Sequence, residues 1–90
     1  MKHVGFVIAN DLEEYLSYSL SDRYSYTNIW CRTDSGRMFI QMIRVFVTFD
    51  DSKQYLSKIK TNQKTWILEL LETDRQFIVS CLSNEKPLWL

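Results

Sequence analysis

Glycine and proline are scarce in this sequence, which has two glycines and one proline among 90 residues. These residue types punctuate turns and loops, so a chain with so few of them is expected to be mostly regular structure. The length suits one domain, residues 1–90, and leaves no room for a second hydrophobic core. A hydrophobic fraction of 46% and an aromatic fraction of 14% are typical of a folded domain and argue against a disordered chain.

Net charge is absent as well, because eleven basic and eleven acidic residues cancel. A neutral chain has no overall field that would attract nucleic acid or an anionic membrane, and it is no acidic mimic of DNA. The sequence also lacks the run of roughly 18 apolar residues that a membrane-spanning helix needs. The apolar run near the N-terminus is too short for a secretory signal and is interrupted by Asp11. We therefore expect a cytoplasmic protein that has no membrane partner.

The side chains that usually carry catalysis or bind metals are few. His3 is the only histidine, and Cys31 and Cys81 are the only cysteines. Neither a C-x-x-C nor an H-x-x-x-H spacing is present, so we expect no metal site. Two cysteines allow one disulfide at most, and their position in apolar runs favours two free, buried thiols.

Paired acids occur at Glu13–Glu14 and at Asp50–Asp51. Adjacent residues on a helix point about 100° apart, so neither pair converges on a substrate as the two carboxylates of a glycosidase do. Both pairs lie where helices are predicted to begin, and the helix dipole favours acids there. No glycine-rich phosphate-binding loop is present. We expect no catalytic residue and no cofactor, and hence a protein that is not an enzyme.

The first part of the chain predicts a strand and then a helix. Val4, Phe6 and Ile8 alternate with other residues, as in a β-strand. Asp11 and Glu14 have the spacing of a capping box, which predicts that a short amphipathic helix begins here. The apolar face of this helix would consist of Leu12, Tyr15, Leu16, Ser19 and Leu20.

Two more strands and a second helix are predicted to follow. The second strand covers residues 24–32, and a turn at 34–36 joins it to a third strand over 38–49. Asp50 and Asp51 are then expected to cap the second helix. The apolar face of this helix would consist of Tyr55, Leu56 and Ile59.

The segment from 65 to 84 fits two interpretations. Its apolar residues gather on one side at helical spacing, except that Asp74 lies on the wrong side, and we favour a helix. The alternative is a β-hairpin that turns at the sequence ETDR. The fold class is α+β in either case: a small antiparallel sheet with helices on one face, in the order β-α-β-β-α-α, or a ferredoxin-like β-α-β-β-α-β-β.

An aromatic row is the most unusual feature of the second strand. Tyr24, Tyr26, Trp30 and Arg32 occupy alternate positions, so their side chains leave one face of a strand. Such a row fits a docking patch for another protein, a stacking platform for nucleic acid, or one wall of the core. Tyr, Trp and Arg are also the residues enriched in protein interfaces.

The C-terminal sequence KPLWL is the second unusual feature. Pro87 ends whatever element precedes it, which leaves three large apolar residues in an extended tail. We predict that Trp89 is at least half buried, against its own domain or in a symmetry-related subunit. Trp89 therefore joins the aromatic row as a candidate partner-binding residue.

These observations favour a non-enzymatic binding protein. Its expected role is a small cytoplasmic regulator, inhibitor or adaptor that binds another protein, and also itself as a homodimer, through an aromatic and apolar surface. The alternative is a module that binds single-stranded RNA or DNA, in which the aromatic row stacks bases. The candidate phosphate contacts of that alternative are Arg44, Lys53, Lys58, Lys60 and Lys64.

Overall fold

The computed structural model describes residues 1–17, 29–32, 43–59 and 61–90. Within these ranges the chain is an α+β domain with one antiparallel sheet of five strands and a single short helix. The strands are β1 (Lys2–Asn10), β2 (Tyr15–Ser17), β3 (Ile29–Cys31), β4 (Thr65–Glu72) and β5 (Phe77–Cys81), and the helix is α1 (Phe49–Leu56). They lie in the order β3-β2-β1-β4-β5 across the sheet. The predicted α+β class with an antiparallel sheet is confirmed.

Strand β1 is the predicted first strand, and it lies at the centre of the sheet. It pairs with β4 along its whole length, from Lys2 opposite Glu72 to Asn10 opposite Thr65. Val7, Ile8 and Ala9 follow one another and are all fully buried. Because successive side chains point to opposite faces, both faces of β1 are covered.

The hydrophobic core has two parts, one on each face of the sheet. The larger part consists of Val7, Ala9, Tyr15, Ile43, Leu68, Leu70 and Phe77. The smaller part consists of Ile8, Leu16 and Phe46, and α1 covers this face. The predicted apolar face of the helix is confirmed for Tyr55 and Leu56, which pack against the smaller part. Ile59 packs there too, but it lies beyond the end of the helix.

The helix predicted at Asp11 is wrong: the chain makes a tight turn there and returns as β2. The side-chain oxygen of Asn10 accepts hydrogen bonds from the backbone N–H groups of Leu12 and Glu14, both at 3.0 Å. Glu13 has a φ of 60°, as in hairpin loops of three residues that end on a left-handed residue. The Asp11–Glu14 spacing therefore marked a hairpin loop, not a helix cap. The predicted face positions Ser19 and Leu20 lie outside the described residues.

The helix favoured for 65–84 is also wrong, because this segment forms the β4–β5 hairpin. The strands pair from Leu68 opposite Cys81 to Glu72 opposite Phe77, so the turn, residues 73–76, overlaps the predicted ETDR sequence. The Thr73 hydroxyl accepts from the Gln76 N–H at 3.1 Å and donates to the Gln76 carbonyl at 2.9 Å. This side chain closes the turn without a glycine or asparagine. The observed order of elements matches neither proposed order in full.

Helix α1 forms where the second helix was predicted, but a different residue caps it. The Thr48 hydroxyl accepts the Asp51 N–H at 3.1 Å, which makes Thr48 the N-cap. Asp50 and Asp51 lie in the first turn, where the helix dipole favours acids. The prediction placed Asp50 and Asp51 at the correct end of the helix, but they lie in its first turn and Thr48 is the cap.

The second and third predicted strands are described only in part. Strand β3 falls inside the predicted range 24–32, while residues 24–28 lie outside the described residues, as do the turn at 34–36 and positions 38–42. The described remainder of the third strand makes one isolated bridge, between Phe46 and Phe6, with both N···O distances at 2.8 Å. The chain then enters α1 at Phe49, inside the range predicted to be a strand.

Gly5 is required by the close approach of the segment that bridges to β1. A Cβ atom added at residue 5 would overlap the carbonyl oxygen of Phe46 and lie 2.8 Å from Cγ1 of Val45. The bridge between Phe6 and Phe46 holds that carbonyl in place. The backbone would therefore have to move to admit any side chain here.

We predict that Gly5→Ala lowers the free energy of unfolding by about 1–3 kcal/mol, as overpacking in a core does. For a domain of this size, each kcal/mol lowers the melting temperature by about 4–8 °C. Lys2→Ala introduces the same residue at an exposed position of β1 and should change stability by less than about 0.5 kcal/mol. Urea denaturation of both variants measures the difference, and equal stabilities would contradict the steric explanation.

Candidate functional site

The predicted aromatic row lies partly within the described residues. Tyr24 and Tyr26 lie outside them. Trp30, in β3, is partly buried and packs against the smaller core. Arg32 directly follows β3 and is exposed. The ring of Trp30 therefore forms part of the boundary of the smaller core. Its role in binding a partner stays a prediction.

The indole of Trp89 packs against its own domain, which is the first of the two alternatives predicted for the tail. Its Nε1 donates to the backbone oxygen of Asn10 at 2.9 Å. The ring packs against the larger core and meets the Tyr15 ring edge-on, with 5.9 Å between the centroids. Pro87 is fully buried beside it, whereas Leu88 is fully exposed. The predicted burial of Trp89 is confirmed.

Asn10 links the β1–β2 hairpin to the C-terminal tail and is itself fully buried. Its side-chain Nδ2 donates to the Glu14 carboxylate at 3.0 Å, and its carbonyl oxygen receives the indole of Trp89. A buried amide is stable only when its polar groups find partners, and each of these contacts supplies one. Sequence reasoning missed this residue because an asparagine before an acidic stretch is typical of a helix start.

The hydroxyl of Tyr15 has a clearly displaced pKa. Burial raises this pKa to about 12, and the negative charge of Glu13 adds to the effect. The neutral phenol is therefore the form that the fold stabilises. The ring lies between the larger core and Trp89, so ionisation would place a charge beneath the docked tail.

Among the predicted basic residues that the structure describes, two lie together and one is paired with an acid. Arg44 and Lys58 line the same pocket, whereas the described lining does not include Lys53. Lys64 forms an ion pair with Glu85 and lies 5.2 Å from the centre of the Trp66 ring. Lys60 lies outside the described residues.

The pocket shared by Arg44 and Lys58 is an open cleft of about 430 Å³ between α1 and the segment before it. The Arg44 guanidinium carbon lies 4.2 Å from the centre of the Tyr55 ring and 5.5 Å from that of Phe46. One acid, Asp51, also belongs to the lining. A larger depression of about 610 Å³ lies beside the β4–β5 turn, where Met1 and Lys2 meet residues 72–74.

Strand β5 forms one edge of the described sheet. Its sequence, FIVSC, has no charged residue, proline or glycine, although these are the usual protection of an exposed edge. The turn begins with the Thr73 N–H donating to the Gln76 carbonyl at 2.8 Å. By the alternation of an antiparallel ladder, the backbone N–H and C=O groups of Val79 and Cys81 then point away from β4.

Comparisons with known proteins give no family. No protein-family model, curated protein or solved structure significantly matches the chain.

In the described ranges, no three His, Cys, Asp or Glu side chains are grouped so that they could hold a metal ion. Cys31 and Cys81 form no disulfide, and both are partly buried where buried thiols were expected. No helix in these ranges is long and apolar enough to cross a membrane.

We predict that Trp89→Ala lowers the free energy of unfolding by about 2–4 kcal/mol, because it removes a packed aromatic ring and leaves the Asn10 carbonyl without its indole donor. The adjacent Leu88→Ala is a matched control and should change stability by less than about 0.5 kcal/mol. Thermal denaturation of the two variants tests this. Equal melting temperatures would contradict the docking of the tail.

We also predict a loss of stability in alkali. The folded-state pKa of Tyr15 is raised to about 12 from an ordinary value of 10.0, so its contribution is fully present below pH 10 and is lost as the pH rises through about 12. Two pKa units correspond to at most about 3 kcal/mol, and screening by solvent at the hydroxyl reduces the expected loss to about 1–2 kcal/mol. The free energy of unfolding, measured by urea denaturation at several pH values between 9 and 12, should fall less steeply with pH for Tyr15→Phe than for the natural chain. An equal pH dependence for the two proteins would contradict the prediction.

Proposed function

We propose that this chain is a non-enzymatic protein-binding module, a small regulator, inhibitor or adaptor, and that a second copy of the chain is one of its partners. The observation that carries the proposal is the edge of β5, which has no charged residue or proline and no further strand beside it among the described residues. An edge strand offers backbone donors and acceptors to any extended segment that lies beside it, and many binding domains use this mode of recognition.

The geometry of β5 suits pairing with itself. Val79 is the middle residue of Phe77–Cys81, and its backbone groups face outward. An antiparallel pair related by a two-fold axis at Val79 would place Phe77 opposite the second copy's Cys81, and Ile78 opposite its Ser80. No charges would meet across this contact, and the two sheets would become one continuous sheet.

Apolar side chains next to β5 support a docking role. Leu71 and Ile78 face each other across β4 and β5, are partly exposed, and belong to neither part of the core. Leu82, directly after β5, is 54% exposed. Apolar side chains grouped beside an unprotected strand are typical of an interface.

The cytoplasm is the proposed compartment. Neither Cys31 nor Cys81 forms a disulfide, and reduced cysteines are usual in reducing compartments, where disulfides are rare. Neither cysteine lies opposite its own copy in the proposed pairing, so the dimer needs no disulfide.

Binding of single-stranded nucleic acid is the second candidate. It is favoured by one observation, the position of Arg44 and Lys58 in a common pocket. It is weakened by the ion pair of Lys64 with Glu85 and by the packing of Trp30 against the core. The protein-binding role therefore ranks first.

We predict a concentration-dependent dimer with twice the 10.8 kDa mass of one chain, detected by sedimentation equilibrium up to about 100 µM, since assembly follows mass action. Ser80→Lys places a charge on β5 and should shift the protein to monomer, because lysine on an edge strand opposes pairing.

Gln76→Lys is the matched control, because it adds the same charge at an exposed turn position before β5. This variant should dimerise like the natural chain. A natural chain that stays monomeric at every concentration would contradict self-association, and a dimer that survives Ser80→Lys would place the interface elsewhere.

A further inference from the structure

We propose that the cleft between α1 and residues 44–47 binds a phosphate group, and that Arg44 and Lys58 are its two cationic contacts. This site does not depend on the protein-binding role, because no residue of β5 lines the cleft. The chemistry required is that of a phosphate ester, free or as part of a single-stranded nucleic acid.

The backbone on both sides of Arg44 is held firmly. Its own N–H donates to the Leu16 carbonyl at 2.9 Å. Ile43 is fully buried on one side, and Phe46 is bridged to Phe6 on the other. A side chain that starts from a fixed backbone loses less freedom when it binds a ligand, and this favours binding.

The side chain of Arg44 is held as well. Its guanidinium carbon lies 4.2 Å from the centre of the Tyr55 ring, and that ring lies 5.4 Å from the ring of Phe46. Stacking of this kind uses the face of the guanidinium and leaves its N–H bonds in the plane. A guanidinium has five N–H donors in a fork that matches two oxygens of a phosphate, so a two-point contact does not require all of them.

Lys58 supplies the second positive charge. It is exposed and forms no ion pair with any carboxylate in the described parts of the chain. Among the described lining residues, Arg44 and Lys58 are positively charged and Asp51 is negatively charged. A phosphate monoester has a charge of about −1.5 to −2 and three acceptor oxygens, so it can contact both cations at once, with more acceptors than the two oxygens of a carboxylate.

The size of the cleft indicates what carries the phosphate. About 430 Å³ is within the range of pockets for small organic ligands and far exceeds the volume of one phosphate ion. The rest of the lining includes Val45, Phe46 and Val47, and Val47 is 80% exposed. An apolar or aromatic group attached to the phosphate would cover these side chains.

Titration of the isotope-labelled chain, followed by NMR, tests the site. The probes are inorganic phosphate, uridine monophosphate, and an oligothymidylate of about ten nucleotides, a length within the span of single-strand binding sites. The expected result is a saturable shift of the Arg44 side-chain N–H resonance and of the backbone resonances of residues 54–58. A response to both uridine monophosphate and the oligonucleotide assigns a free phosphate ester, whereas a response to the oligonucleotide alone assigns a nucleic-acid backbone.

Variants separate the site from general charge effects. Arg44→Lys keeps the charge but loses the fork, and Lys58→Ala removes one cation; each should weaken binding by about tenfold, as expected for hydrogen bonds to charged groups. Asp51→Asn should tighten binding by about threefold, because it removes a like charge. Lys86→Ala removes an exposed lysine outside the lining and should leave the affinity unchanged.

Two results would overturn the proposal. One is the absence of any shift at Arg44 with all three probes. The other is equal weakening by Lys58→Ala and Lys86→Ala, which would mean that binding follows net charge. Lys58 is exposed, so its variant stays informative even if Arg44→Lys fails to fold. For the oligonucleotide, one phosphate bound by both cations gives a slope of about −0.7 for log affinity against log salt.

Discussion

The pairing of β1 with β4 is the interaction on which the rest of this structure depends. Eight residue pairs join the two strands, which are far apart along the chain at residues 2–10 and 65–72. Closing so long a loop has an entropic cost that rises only slowly with loop length, and the ladder and the two-sided burial of Val7, Ile8 and Ala9 offset it. With β1 in the centre, every other strand takes its place relative to it.

This central position determines which parts of the sheet face outward. Strand β4 occupies one side of β1, so β5 is left at an edge of the described sheet. Two segments share the other side of β1: β2 pairs with it at Ala9, and the segment before α1 bridges to it from Phe46 to Phe6. The bridging segment brings Arg44 over the side chains of α1. The edge of β5 and the Arg44 cleft are thus separate consequences of one arrangement.

The end of β1 shows how one polar residue joins distant parts of the chain. Asn10 uses its side chain to close the β1–β2 hairpin and its backbone oxygen to receive Trp89. The buried ring of Tyr15 lies under the tail, and its raised pKa reflects that burial. A buried polar group with every contact satisfied makes the local arrangement specific, because any other arrangement leaves it without partners.

Local periodicity and the size of the apolar side chains are enough to predict the α+β class, the first strand, the position of α1 and the burial of Trp89. They do not predict that Asp11–Glu14 is a loop, nor do they choose the hairpin over the helix for residues 65–84, because contacts between distant strands determine both. Apolar residues such as Leu68 and Leu70 fit a helical stripe and one face of a strand equally well. Residues 65–72 form a strand because β4 then supplies the hydrogen-bond partners that the backbone of β1 needs. A contact between residues so distant along the chain cannot be detected in the local spacing of apolar residues.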